Sequence, residues 1–190
     1  MAWAEKDIIA KLGPLAGLAG TWEGEEGIDE APAADRGPMT TPFRERAVFA
    51  PMDPIDNHEQ MLFGLRYSRT AWRIGEVDPF HEELAYWLWD AAAGQVMRAF
   101  VIPRGMSVLA GCRAVASDRK FKLQAVVGSD VFGIVSNPYL DIEFKTVRYE
   151  LEVDLEGSDR YRYAEDTQLL LKGRSEVFHH RDSNILKRIR

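Results

Sequence analysis

Four histidines, at 58, 81, 179 and 180, are the side chains of this sequence best suited to proton transfer or metal ligation near neutral pH. His81 stands in Asp78-Pro79-Phe80-His81-Glu82-Glu83 and opens the aromatic run Tyr86-Trp87-Leu88-Trp89. His179 and His180 are adjacent in Val177-Phe178-His179-His180-Arg181-Asp182. His58, in Asp56-Asn57-His58-Glu59, reads as an exposed loop residue. One neutral imidazole facing a dry pocket is enough to hold a haem iron and leave its sixth position open. The chain has no Cys-x-x-Cys-His, so such a haem would be held without covalent attachment. Glu82, Glu83 and Glu143 are acids or bases in principle, but charged strand faces explain them better. Cys112 reads as a free, partly buried thiol. Phosphate-binding glycine loops, paired-cysteine metal sites and nucleophile elbows are missing from the sequence.

Strands must position these residues. Ile8, Ile9, Leu12 and Leu15 have helical spacing up to the break at Gly13-Pro14, which predicts a short helix over Asp7 to Leu12. After Gly20 the apolar residues recur at period two. Ten segments read as strands: 21–27, 43–50, 60–68, 82–90, 95–103, 107–116, 121–127, 145–156, 160–172 and a last one ending at Ile189. Ala91-Ala92-Ala93-Gly94 and Glu156-Gly157-Ser158-Asp159 read as hairpin turns. Residues 28–42, with Pro32, Pro38 and Pro42, read as a long loop. Residues 128–141 read as a loop with a short helix or a strand of its own. The sum is an all-β fold: a ten-stranded antiparallel up-and-down barrel over residues 1–190, with 1–17 as a helical lead-in. A barrel of more than eight strands is expected to leave interior room for a small-molecule ligand.

Alternation places His81 on one face with Glu83, Ala85, Trp87 and Trp89. On the last strand His179 and His180 point to opposite faces. The even set (Phe178, His180, Asp182, Asn184, Leu186) and the odd set (His179, Arg181, Ser183, Ile185) are both mixed, so periodicity does not choose between them. A bulge within Arg181 to Asn184 would also change the register.

Composition narrows the function. The 190 residues carry 24 Lys plus Arg against 30 Asp plus Glu, a formal charge of −6, which argues against a nucleic-acid partner. No apolar run reaches membrane-spanning length, and the first residues lack a signal peptide's pattern, so the expected location is the cytoplasm. The single cysteine excludes a disulfide framework within the chain.

Three stretches, in order, resemble the nitrobindin-like haem-binding β-barrels. Leu18-Ala19-Gly20-Thr21-Trp22-Glu23-Gly24 resembles that family's Gly-x-Trp-x-Gly opening. Pro79-Phe80-His81-Glu82-Glu83-Leu84-Ala85-Tyr86-Trp87 resembles its His-x-Glu-x-Gly-Tyr strand, with Ala85 in place of Gly. His180 followed by Leu186 and Arg188 resembles its final strand. The resemblance implies a barrel shaped like the fatty-acid-binding proteins, holding ferric haem b through one histidine with an apolar, open distal side. It also implies action on nitric oxide or peroxynitrite, isomerising the latter to nitrate. On matching positions His180 is the axial ligand. Phe80, His81, Ile102 and Leu170 then line the haem pocket. The run from His180 to Leu186 is a residue longer than the family's, so either a bulge absorbs it or His179 is the ligand. The alternative function is a metal-free carrier of a fatty acid or similar apolar molecule, anchored by an inward Arg66, Arg98 or Arg148. A third is a filled barrel that binds through its surface. Either barrel leaves room for a homodimer.

Overall fold

The computed structural model describes residues 3–189. Met1, Ala2 and Arg190, the outermost residues of the expected domain, lie outside the described residues. Eleven strands form one antiparallel sheet that closes on itself. They are β1 (Gly20–Pro32), β2 (Pro38–Asp56), β3 (Met61–Arg73), β4 (His81–Asp90), β5 (Gln95–Ile102), β6 (Met106–Arg113), β7 (Lys120–Val126), β8 (Ile134–Ser136), β9 (Phe144–Glu156), β10 (Arg160–Leu171) and β11 (Val177–Arg188). Ten of them make the barrel wall, each beside its sequence neighbour, with β7 joined to β9 and β11 to β1. β6 and β7 share a single registered pair, Gly111 with Gln124, before they splay apart. The short β8 then takes the free edge of β6, pairing Met106 with Ser136.

The ten expected segments are the ten wall strands. The 28–42 reading is corrected: no long loop exists there, because β1 and β2 run on as a paired ribbon to Pro32 and Pro38. All three prolines occur at or near strand ends or where β1 bulges, places where a missing N–H is tolerated. Segment 128–141 holds both a strand, β8, and a helix, α2 (Pro138–Glu143), capped by the Asn137 side chain on the N–H groups of Tyr139 and Leu140.

The two ends of the barrel differ. One is plugged by the N-terminal segment: α1 (Glu5–Ile9) and a 3-10 turn (Gly13–Leu18) that bury Leu12, Leu15 and Leu18. The helix begins earlier and is shorter than the spacing predicts, since Gly13-Pro14 forces the tighter turn. Trp22 Nε1 donates to Leu18 O at 2.7 Å, and Arg188 lies over the Trp22 ring at 4.1 Å while donating to Gly17 O. The other end is where β4 begins at His81, β5 ends at Ile102 and β11 begins at Val177. Glu143 of α2 ties together its neighbours there, accepting from Arg36 at 2.6 Å and Lys172 at 2.5 Å.

Candidate functional site

Inward parity on β11 is settled by its neighbours. Leu186 and Asn184 are buried, and Asp182 bonds into the barrel interior, so His180 faces inward with them. The β10–β11 register is continuous from Arg160–Lys187 to Leu170–Val177, which leaves no bulge in Arg181 to Asn184. The bulge that does occur beside β11 is in the neighbouring strand β1, between Gly24 and Gly27. A Cβ on Gly27 would come within 2.6 Å of the Phe43 ring, so only glycine lets the bulge seat there. Beyond the bulge, Asp29 faces His180 and its Oδ1 meets Nε2 at 2.8 Å. His180 Nδ1 makes no hydrogen bond among the described residues. Burial pulls the His180 pKa down, but the hydrogen bond and charge of Asp29 outweigh it and the net shift is upward.

His179 is on the outer face. Its Nδ1 pairs with Asp166 at 2.8 Å, away from the barrel axis. His81 is inward at the start of β4. Its Nε2 is buried with no partner, 4.0 Å from the nearer Glu83 oxygen. Burial first, then the charge of Arg69, lowers its pKa to about 3, and His180 adds to the lowering. His81 is therefore a neutral imidazole near His180. Phe80, just before β4, sits edge-on to Phe43 at 5.9 Å under the Arg73 guanidinium. Ile102 ends β5 on its inward face and packs on the core. Leu170 is corrected: it is 39% exposed on the outside of β10, and Leu169 beside it is the inward residue. Counting from His180 reached the right turn of the strand but the wrong face. Phe80, His81 and His180 thus share the wall from β11 round to β4, Ile102 adds the next strand, and Leu170 does not join them.

Below this mouth the barrel is filled, contrary to the expected open cavity. Two inward arginines lie in it. Arg98 (β5) donates to Glu83 and to the Tyr149 hydroxyl and reaches Glu165 at 3.4 Å, with its guanidinium over the Phe100 ring at 4.4 Å. Arg69 (β3) bonds Glu45, the Tyr163 hydroxyl at 2.5 Å and Asp182 at 2.5 Å, and Asn184 donates to Glu45 at 3.1 Å. Burial pushes Glu45 and Glu83 up despite the arginines beside them. It pushes Glu165 to about 7, with Asp182 adding to the rise. Asp182 stays low: Arg69, by charge and hydrogen bond, overcomes its burial. Only about 20 Å³ of free space remains around Trp87 and Arg98, room for about one water.

Sequence reasoning missed this network. Glu83 was assigned to a charged strand face, although it shares parity with Trp87 and Trp89; that parity is the signal that points it inward. Arg66 and Arg148, two of the three expected anchors, point outward, and Arg148 pairs with Glu150. Arg98 is inward, with both terminal nitrogens engaged by Glu83, Tyr149 and Glu165 and its Nε buried without a partner. Asp29, Arg69, Glu45 and Asp182 carried no motif that could single them out.

Among the described residues, no three His, Cys, Asp or Glu side chains converge to hold a bare metal ion, and no helix is long and apolar enough to cross a membrane. Comparison with curated proteins finds no match. Among solved structures, Rv2717c from M. tuberculosis is similar in fold, with a TM-score of 0.64 at 18% identity over 96% of this chain and 98% of that one. The model of one domain family matches residues 11–188, from the plug to the end of β11. This chain belongs to the THAP4-like, heme-binding beta-barrel domain family.

Proposed function

We propose that this protein binds haem b at the open end of the barrel through His180, and acts there on nitric oxide or peroxynitrite. The observation that carries the reading is an inward histidine, braced by a carboxylate, on the same end of a haem-binding-family barrel as a second, buried imidazole. The donor chemistry fits the group. His180 has one ring nitrogen on Asp29 and the other without a partner, the pairing that fixes tautomer and raises ligand basicity at metal sites. His81 offers a buried nitrogen with an unfilled hydrogen-bonding position.

Haem would supply an iron centre able to bind a diatomic or an oxyanion. The chain's own residues orient and exclude. Asp29 holds the His180 ring in one orientation. His81, uncharged across the physiological range, presents a weakly polar wall that neither repels nor traps an anion. Phe80 and Phe43 wall the mouth with aromatic edges and keep water from one side of it. Asp182, ionised and held by Arg69, closes the floor. In this reading isomerisation of peroxynitrite to nitrate needs no residue to gain or lose a proton, and the protein contributes access, polarity and ligand basicity.

An internal fatty-acid carrier needs an inward arginine with its charge to spare, and the charges of the two present are already balanced by buried carboxylates. The test is a haemin titration read by visible absorption. One equivalent is expected to shift the intense haem band near 400 nm, a region typical of protein-bound haem. His180→Ala should lose that shift while circular dichroism keeps the barrel signature; His179→Ala should keep it. A shift that survives in His180→Ala would overturn the ligand assignment.

A further inference from the structure

The outer wall of the barrel is not uniform. On β7, β9 and β10 the outward side chains are charged and paired: Lys120 with Glu152, Lys122 with Glu150, Arg162 with Glu156. On β4, β5 and β6 the outward positions between Glu82 and Arg113 are mostly apolar. Leu84 is 62% exposed, and Tyr86, Val101 and Leu109 are exposed with it. These positions form two lateral rows. One runs in register from Arg66 on β3 through Tyr86 and Ala99 to Leu109 on β6. The next runs from Leu84 through Val101 and Ser107 to Val135 on β8.

Shape comes from two small residues. Ala99 leaves a dip between Tyr86 and Leu109. Gly111 lets the tip of the Phe132 ring pack against β6, where a Cβ would sit 2.3 Å from it. Phe132 thereby anchors segment 129–135 as a raised far wall, and Gly133 O accepts the Leu109 N–H at 3.0 Å. The result is an apolar groove of about 780 Å³, within the range of roughly 300–1,000 Å³ typical of small-molecule sites.

Arg66 stands at the near end and is the only charged side chain lining the groove. It makes no ion pair and no hydrogen bond among the described residues, in a chain with a formal charge of −6. We propose that this groove binds a small amphipathic anion: an alkyl chain bearing a carboxylate, with the head on Arg66 and the chain laid across the strands toward Val135. Three strand intervals separate Arg66 from Leu109, roughly 14 Å at about 4.8 Å each, a span that suits a medium-length chain. The site is on the outside of the barrel, apart from the mouth that carries His180. Its ligand is recognised by an unpaired guanidinium beside an apolar floor, which favours a bidentate carboxylate.

The test is calorimetric titration of laurate into the haem-loaded chain and into the chain without haem, with dodecyltrimethylammonium as the cation of equal chain length. Running both forms keeps a failure to load haem separate from a failure of the groove. One laurate should bind without moving the haem absorption band, and the cation should bind more weakly. Arg66→Glu should weaken laurate about tenfold or more and favour the cation instead. Ala99→Phe, which fills the dip, should weaken both. The proposal is overturned if laurate does not bind, if it binds both variants as it binds the parent, or if it displaces haem. It is also overturned if sedimentation shows a dimer that Ala99→Phe dissociates, because the face would then belong to a second copy.

Discussion

Arg98 illustrates what a buried charge demands. Its side chain is only 2% exposed, and its charge persists because Glu83, Tyr149 and Glu165 surround it and counter the pull of burial. Such a cluster is weak evidence of net stabilisation, but removing one partner strands the others. Arg98→Met is expected to cost about 3–5 kcal/mol in urea denaturation. Two residues of this interior should oppose each other in pH dependence. Glu165 has a folded pKa of about 7, above its ordinary 4.5, so its contribution is whole below the ordinary value and is lost as pH rises through about 7. Glu165→Gln should therefore flatten the decline in urea midpoint between pH 5 and 8, by on the order of 1–3 kcal/mol. His81 has a folded pKa of about 3, below its ordinary 6.5. Its contribution is whole above the ordinary value and is lost as pH falls toward about 3. His81→Phe should make the protein less acid-sensitive in that window; an unchanged midpoint curve would contradict the burial assigned to this imidazole.

The extra residue in β1 decides where Asp29 points. Without the bulge at Gly24 to Gly27, side chains beyond it would exchange faces, because strand parity inverts with a one-residue slip. Asp29 would then leave His180. Gly27→Val puts a branched side chain against the Phe43 ring and is expected to destabilise by about 1–3 kcal/mol through overpacking. It should also weaken haem affinity, because Asp29 would lose its place against His180. Joint measurement of urea midpoint and haemin titration separates the two effects. The same ribbon explains why residues 28–42 misled: proline content marks a loop only when no partner strand is at hand, and here β1 and β2 supply each other.

Closure and plugging complete the molecule. A ten-stranded ring leaves no unpaired edge except at the β6–β7 splay, where β8 covers β6. The N-terminal segment seals one end with Leu12, Leu15 and Leu18, each fully buried, and the inward histidines lie toward the opposite end. Leu15→Ala should cost about 2–5 kcal/mol, read from the urea midpoint, because the plug cannot collapse into the space it vacates. Its haem titration should be unchanged where the protein remains folded, since the plug and the mouth lie at opposite ends.

Local pattern carried the wall of this protein and little of its interior. Period-two alternation marked all ten wall strands, and hairpin turns ordered them, because both signals arise within a few residues. The parity of His81 was likewise readable from the tryptophans that share its face. What faces what across the barrel was not. Neither set on β11 is cleanly apolar, so the inward choice of His180 over His179 waited on Asn184 meeting Glu45 and Asp182 meeting Arg69. Those partners lie 139 and 113 residues apart in the chain. The interior charges escaped for the same reason: an arginine or glutamate on a strand reads as solvent-facing until its counter-charge arrives from another strand. Glu83 meets Arg98 and Glu45 meets Arg69 across neighbouring strands, but closure of the ring adds Glu165 and Asp182 from the far wall, so only the tertiary structure decides which polar residues are buried and which histidine looks inward.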